Sequence, residues 1–253
     1  MKLSSKIIII LFIFMLFLTG TSYAEPQVPL LDEALGLING NNDGDGYVAS
    51  IQLLILFTIL SLAPSILIMM TSFTRIIIVL SFLRNAIGTQ QTPPNQVLIG
   101  IALFLTFFLM APIVAEINQE AIQPYLSGEV GQEEAIDKAM VPIREFMFKQ
   151  TKEKDIALFL RIAKIEKVEE LEDIPTRVLI PSFIISELKT AFQIGFILFI
   201  PFLVIDMVVA STLMSMGMMM LPPVMISLPF KLLLFIMVDG WNLIIGQLIS
   251  SFK

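Results

Sequence analysis

Cysteine and histidine are both absent from this chain of 253 residues, and tryptophan occurs once. Without cysteine there is no disulfide framework. Without either residue, zinc sites of the usual Cys/His kind, Cys or Ser-His nucleophilic chemistry and histidine proton switching are excluded. A carboxylate-only site is left open. Charge is scarce too, at 15% of the sequence. No basic patch with interleaved aromatics points to nucleic acid. No nucleophile–base or metal constellation points to an enzyme, and no cofactor is expected. No internal repeat is visible.

Hydrophobic residues make up 56% of the chain, the composition of a multispanning membrane protein. Lys2 and Lys6 precede an apolar run, Ile7–Leu18, followed by Ser22-Tyr23-Ala24. Charged n-region, h-region and small residues at the −3 and −1 positions make residues 1–24 a cleavable signal peptide, cut between Ala24 and Glu25. The mature N-terminus then begins outside the cytoplasm. Residues 25–50 are a polar lead-in. Their Asn41-Asn42-Asp43-Gly44-Asp45-Gly46 partly mimics a calcium loop. The first ligand position holds Asn41 and the bidentate glutamate position holds Gln52, so a flexible linker is the better reading.

Residues 51–115 read as a first apolar helical hairpin. Ile51–Leu83 is too long for one straight span, since about 20 residues cross the hydrocarbon. Pro64 predicts a kink or break, Thr71-Ser72-Phe73-Thr74-Arg75 is a polar interruption, and residues 88–95 form a loop. Val97–Ala115 is the next span. Residues 116–177 are a polar module. Between Glu129 and Arg177 lie 12 acidic and 9 basic residues. Ile136, Met140, Ile143 and Met147 recur at helical spacing, as do Ile156, Phe159, Leu160 and Ala163, predicting two amphipathic helices. The module is either an insert packed on the rest or an assembly surface between copies. Residues 178–253 read as a second hairpin with arms Val178–Ile205 and Val224–Ile249.

Basic residues near span ends set orientation. Arg75 and Arg84 lie near the first loop, with no acid between Ile51 and Ala115. That loop is expected to face the cytoplasm, with the polar module outside.

The second hairpin turns at Met216-Gly217-Met218-Met219-Met220-Leu221-Pro222-Pro223. Its turn chemistry is ordinary, but its side chains are thioethers, flexible and polarisable enough to fit irregular partners. Asp206 and Lys231 each stand 12.5 residues from a centre midway between Met218 and Met219. At about 1.5 Å of rise per residue, both lie roughly 19 Å from the tip. Charges in such runs face a partner or a wet cavity. A pair within one chain or between neighbours is expected, the alternative being two charges facing a lumen separately. Glu187 and Lys189 read as a pair at the membrane boundary, and Trp241, after Asp239-Gly240, as an interfacial anchor. Gly195, Gly240 and Gly246 allow close helix contact.

Several stretches together resemble the FliP family of type III secretion export-gate proteins. They run from Leu62-Ala63-Pro64 to Phe73-Thr74-Arg75, then Gly88-Thr89-Gln90-Gln91-Thr92-Pro93-Pro94-Asn95-Gln96. The later ones are Pro181-Ser182-Phe183 to Gly195-Phe196, and Met218-Met219-Met220-Leu221-Pro222-Pro223 on to Lys231. Ser182 stands where alanine is usual. The cleavable signal peptide favours the flagellar branch over the virulence-associated one.

The resemblance implies an all-α membrane protein of kinked helical hairpins with a small extracytoplasmic helical insert, assembling into a helical ring. That ring is a homo-oligomer, a pentamer, with FliQ and FliR, near FlhB and FlhA, in the inner membrane at the flagellar basal body. It implies a channel for unfolded export substrates, with helices lifted out of the bilayer plane. It makes Met218, Met219 and Met220 a pore gasket and Asp206–Lys231 the family's buried ion pair. The rival reading is a secondary transporter or ion channel relaying through Asp206, Lys231 and Asp239.

Overall fold

The structure, a computed structural model, describes residues 45–252 except 90, 166, 167, 169 and 219. The signal-peptide junction Ala24/Glu25, most of the lead-in and Met219 therefore lie outside the described residues. Every regular element among the described residues is helical. The chain divides into two compact units, residues 1–62 and 63–253. In the first, the described residues are the leading turns of helix α1 (Asp45–Met69), with Leu54 and Phe57 exposed.

Pro64 does not end α1. The helix stops where the polar interruption was expected, as Thr71 Oγ1 donates to the Ile68 carbonyl at 2.8 Å. Helix α2 (Phe73–Ile87) then buries Ile76, Val79, Leu80, Leu83, Ala86 and Ile87, the three-and-four spacing of one helical face. Gly88 closes it at φ 89°, with its N–H on the Asn85 carbonyl.

Helix α3 (Asn95–Ile117) follows the proline-rich loop. It does not stop near Ala115, where the apolar run ends. It continues through a π-helical turn (Asn118–Ile122) into α4 (Gln123–Leu126). Loss of hydrophobicity does not break a helix, and no glycine intervenes before Gly128, which takes φ 77°.

The polar module supplies α5 (Gln132–Gln150) and α6 (Glu153–Ile162). Met147 and Ile156 are buried and join Met70, Ile174, Val178, Leu179 and Phe183 in one core, with Met140, Ile143, Phe159 and Leu160 packed on it. Ile136 and Ala163 stay exposed, so those two positions of the expected stripes do not reach the core.

Helix α7 (Thr176–Ser215) is 40 residues long. It packs most extensively on α2. The approach is close at Gly195, where a Cβ would come within 2.6 Å of Phe82. Its buried residues run from Val178 to Phe202 and no further. Beyond Phe202 none of its residues is buried, and α8 (Pro223–Met237) packs along it.

The last apolar run is not one arm. It breaks by 66° between α8 and α9 (Gly240–Ser250). Asp239 adopts φ 49° at the break, Gly240 lies against the Phe235 ring, and Trp241 meets that ring edge-on at 5.5 Å. Trp241 thus packs on the bend itself. Among the described residues two helical stretches, Asn95–Leu126 and Thr176–Ser215, are long and apolar enough to cross a membrane, and the bent α8–α9 pair makes a third if it counts as one span.

Candidate functional site

The methionine turn is built by the backbone. Gly217 takes φ 72°, a region costly for side chains with a Cβ, and the Met218 N–H bonds the Leu213 carbonyl at 3.0 Å. Pro223 then opens α8. Met216, Met218 and Met220 are 70%, 45% and 98% exposed, so none of these three thioethers is buried in a core. Below the tip, Val204, Val208, Thr212, Ile226 and Phe230 line an apolar groove of about 500 Å³ between α7 and α8.

Asp206 and Lys231 meet within one chain, Lys231 Nζ lying 2.6 Å from Asp206 Oδ2. Lys231 is buried, whereas the Asp206 side chain keeps 32% of its surface exposed. Two further partners complete the site. Ser227 Oγ donates to Asp206 Oδ1 at 2.5 Å, and Lys231 Nζ donates to the Ala86 carbonyl at 3.3 Å. Ala86 belongs to the last turn of α2, where unpaired carbonyls favour a cation. Ser227 is one helical turn before Lys231, a spacing that could have marked it. Asp239 stands apart, accepting from Asn242 at the α8–α9 bend.

The most buried charges lie elsewhere. Arg75 and Glu187 are 2% and 0% exposed and form a two-pronged ion pair, with Nε on Oε2 at 2.9 Å and Nη2 on Oε1. This corrects two expectations. Glu187 and Lys189 do not pair with each other, because residues two apart on a helix face different ways. Glu187 faces α2, and Lys189 reaches Asp155 of α6. Arg75, counted as a free positive charge for orientation, is neutralised. The missed signal was its position as one of only two charges in the first hairpin, since a lone arginine in an apolar run needs a buried partner.

Asp155 docks the polar module on α7. It accepts from Ser186 Oγ at 2.7 Å and from Lys189 Nζ, while Ser186 Oγ accepts from the Lys152 N–H at 3.0 Å. Burial pushes its carboxyl up, but the Lys189 and Ser186 hydrogen bonds outweigh that and hold it below its ordinary 3.8. A carboxylate with a lowered folded pKa contributes stability above its unfolded pKa, which is lost as pH falls through the folded one. Docking of α6 should therefore loosen below about pH 3.8. Hydrogen exchange of the α6 amides, corrected for intrinsic pH dependence, should show that acid step, and Asp155→Asn should abolish it. An acid step that survives in Asp155→Asn rules out this origin.

These features define a helical membrane protein whose interior charges are neutralised in ion pairs and whose apolar surface is left for lipid or protein to cover. The FliP family profile matches residues 56–248. The flagellar biosynthetic protein FliP of Bacillus subtilis is 61% identical over 215 residues, 85% of this chain and 97% of that protein. Those of Pectobacterium carotovorum and Aquifex aeolicus are 57% identical over 211 residues (83% of this chain, 82% of that protein) and 50% over 240 (94% and 98%). The chain belongs to the FliP family.

Proposed function

We propose that this chain is a pore-forming subunit of the flagellar type III export gate, passing unfolded flagellar proteins across the inner membrane. Met218, Met219 and Met220 act as a gasket that limits ion leak. One observation carries the reading: exposed Met216, Met218 and Met220 at the end of a helical arm that buries none of its residues beyond Phe202. An apolar arm with no buried residue beyond Phe202 needs neighbours. At 40 residues, α7 is about 60 Å long, twice the roughly 30 Å hydrocarbon core. This length favours an arm within an assembly over one simple span.

The neighbours are further copies of this chain in a pentameric ring with FliQ and FliR, close to FlhB and FlhA. In this reading residues 1–24 are removed and residues 25–50 lie outside the cytoplasm. Residues 51–115 and 178–253 are the two hairpins, and residues 116–177 form the extracytoplasmic module. With Arg75 neutralised, orientation rests on Arg84, whose guanidinium is held by Asn95 Oδ1 at 2.5 Å. A transporter relay through Asp206, Lys231 and Asp239 loses support, since Asp239 turns to Asn242 instead.

An apolar constriction blocks ions by dewetting, and methionine rotamers adjust to a passing chain at low cost. Replacing Met218, Met219 and Met220 together by alanine should leave the complex assembled and raise ion leak several-fold in vesicles. Unchanged leak from an assembled variant complex rejects the gasket.

A further inference from the structure

Arg75 uses every donor it has. A guanidinium carries five N–H groups. Nε and Nη2 serve Glu187, Nη2 also serves Gln150 Oε1 at 2.8 Å, and Nη1 serves the Ser251 carbonyl at 2.8 Å and hydroxyl at 3.1 Å. Gln150 Nε2 in turn donates to the Phe252 carbonyl at 3.0 Å. The Phe252 ring lies 3.9 Å from the guanidinium carbon and stacks at 20° on Phe146 of α5. Both acceptors for Nη1 come from a residue 176 positions downstream, and a segment of two residues meets α2 and α5 at once.

We propose that Ser251-Phe252 is a late-closing clasp that completes the Arg75–Glu187 site and fastens the end of α5 to it. The α2, α5 and α7 residues of this site are all synthesised before the clasp. Until α9 is in place, a buried guanidinium keeps two donors without acceptors, and Phe146 lacks the ring on which it stacks. The C-terminal end of α5 therefore docks only when α9 has folded. Incomplete or misfolded subunits are marked by an open module base. Asp155–Lys189 and Arg144, which donates to Thr176 Oγ1 at 2.6 Å, hold the rest of the module without the clasp. The opening is thus local. This inference is independent of the export-gate reading.

The absence of cysteine makes the test clean. Met147→Cys places a thiol in the fully buried face of α5, and Leu83→Cys places one in the buried core of α2, α7, α8 and α9, on which Phe252 does not pack. Maleimide labelling is compared between the full chain in detergent and the chain cut after Ser250. The clasp predicts labelling at position 147 faster by roughly tenfold or more, the scale of one lost charged hydrogen bond, with position 83 still protected. Phe252→Ala should give a milder form and Phe252→Tyr should restore protection. These two variants also carry the test if the cut chain does not accumulate. Equal protection at position 147, or exposure of both positions together, overturns the clasp.

Discussion

Glu187→Gln is expected to lower the stability of this chain by roughly 3–5 kcal/mol, the cost of breaking a buried ion pair from one side. The residue looks unremarkable in sequence, lying at the boundary of an apolar run beside Lys189. In the fold it is fully buried and receives both prongs of Arg75. Its loss strands a guanidinium that keeps only 2% exposure. Arg75→Lys should fail as well, because an ammonium cannot reproduce five donors in a fixed fork. The double change Arg75→Met with Glu187→Leu should cost less than either charged half left alone, since apolar replacement removes both desolvation penalties. Thermal and denaturant unfolding in detergent measure all three. Should Glu187→Gln stay within about 0.5 kcal/mol of the parent, the range of an ordinary surface change, the pair has no structural role.

The second large effect is expected at Lys231, and it is asymmetric. Lys231→Asp should abolish accumulation of the assembled complex, because it sets two carboxylates against each other and a third oxygen, the Ala86 carbonyl, beside them. Asp206→Lys should be less damaging, since the Asp206 side chain is 32% exposed and the new ammonium can reach water. The double exchange Asp206→Lys with Lys231→Asp should improve on both singles but remain below the parent. It restores the pair, yet it places an anion at the C-terminal end of α2, where the helix carbonyls favour a cation. Recovered complex on a native gel gives the ranking. A double exchange no better than Lys231→Asp alone removes the pairing idea. Full recovery removes the role of α2.

The level of this pair was legible because it needs only a constant rise along two arms and a turn marked by Gly217, Pro222 and Pro223. The two amphipathic helices of the module were legible for the same local reason, apart from Ile136 and Ala163 at their edges. The continuation of α3 to Leu126 was not, because an apolar run reports partition and not the end of a helix. The 66° bend at Asp239 was hidden too, since an aspartate in a left-handed conformation carries no periodic signature. Lys189 and Glu187 illustrate the larger failure. Neighbours in sequence looked like partners, but a helix turns them to different elements, and their true partners lie 34 and 112 residues away.

Composition and local pattern thus settled by themselves that this is an apolar membrane chain of helical runs without thiol or imidazole chemistry. They also placed the methionine turn between two arms, with Asp206 and Lys231 at one level. These properties follow from residue type and helical rise, which the chain carries wherever it folds. Only the tertiary structure decided which charges meet. It gave Arg75 to Glu187 and Ser251, Asp155 to Lys189, and the Ala86 carbonyl to Lys231. Burying a charge is costly enough that each must find a partner, but which partner depends on how α2, α5, α7 and α9 come together, and no local spacing encodes that.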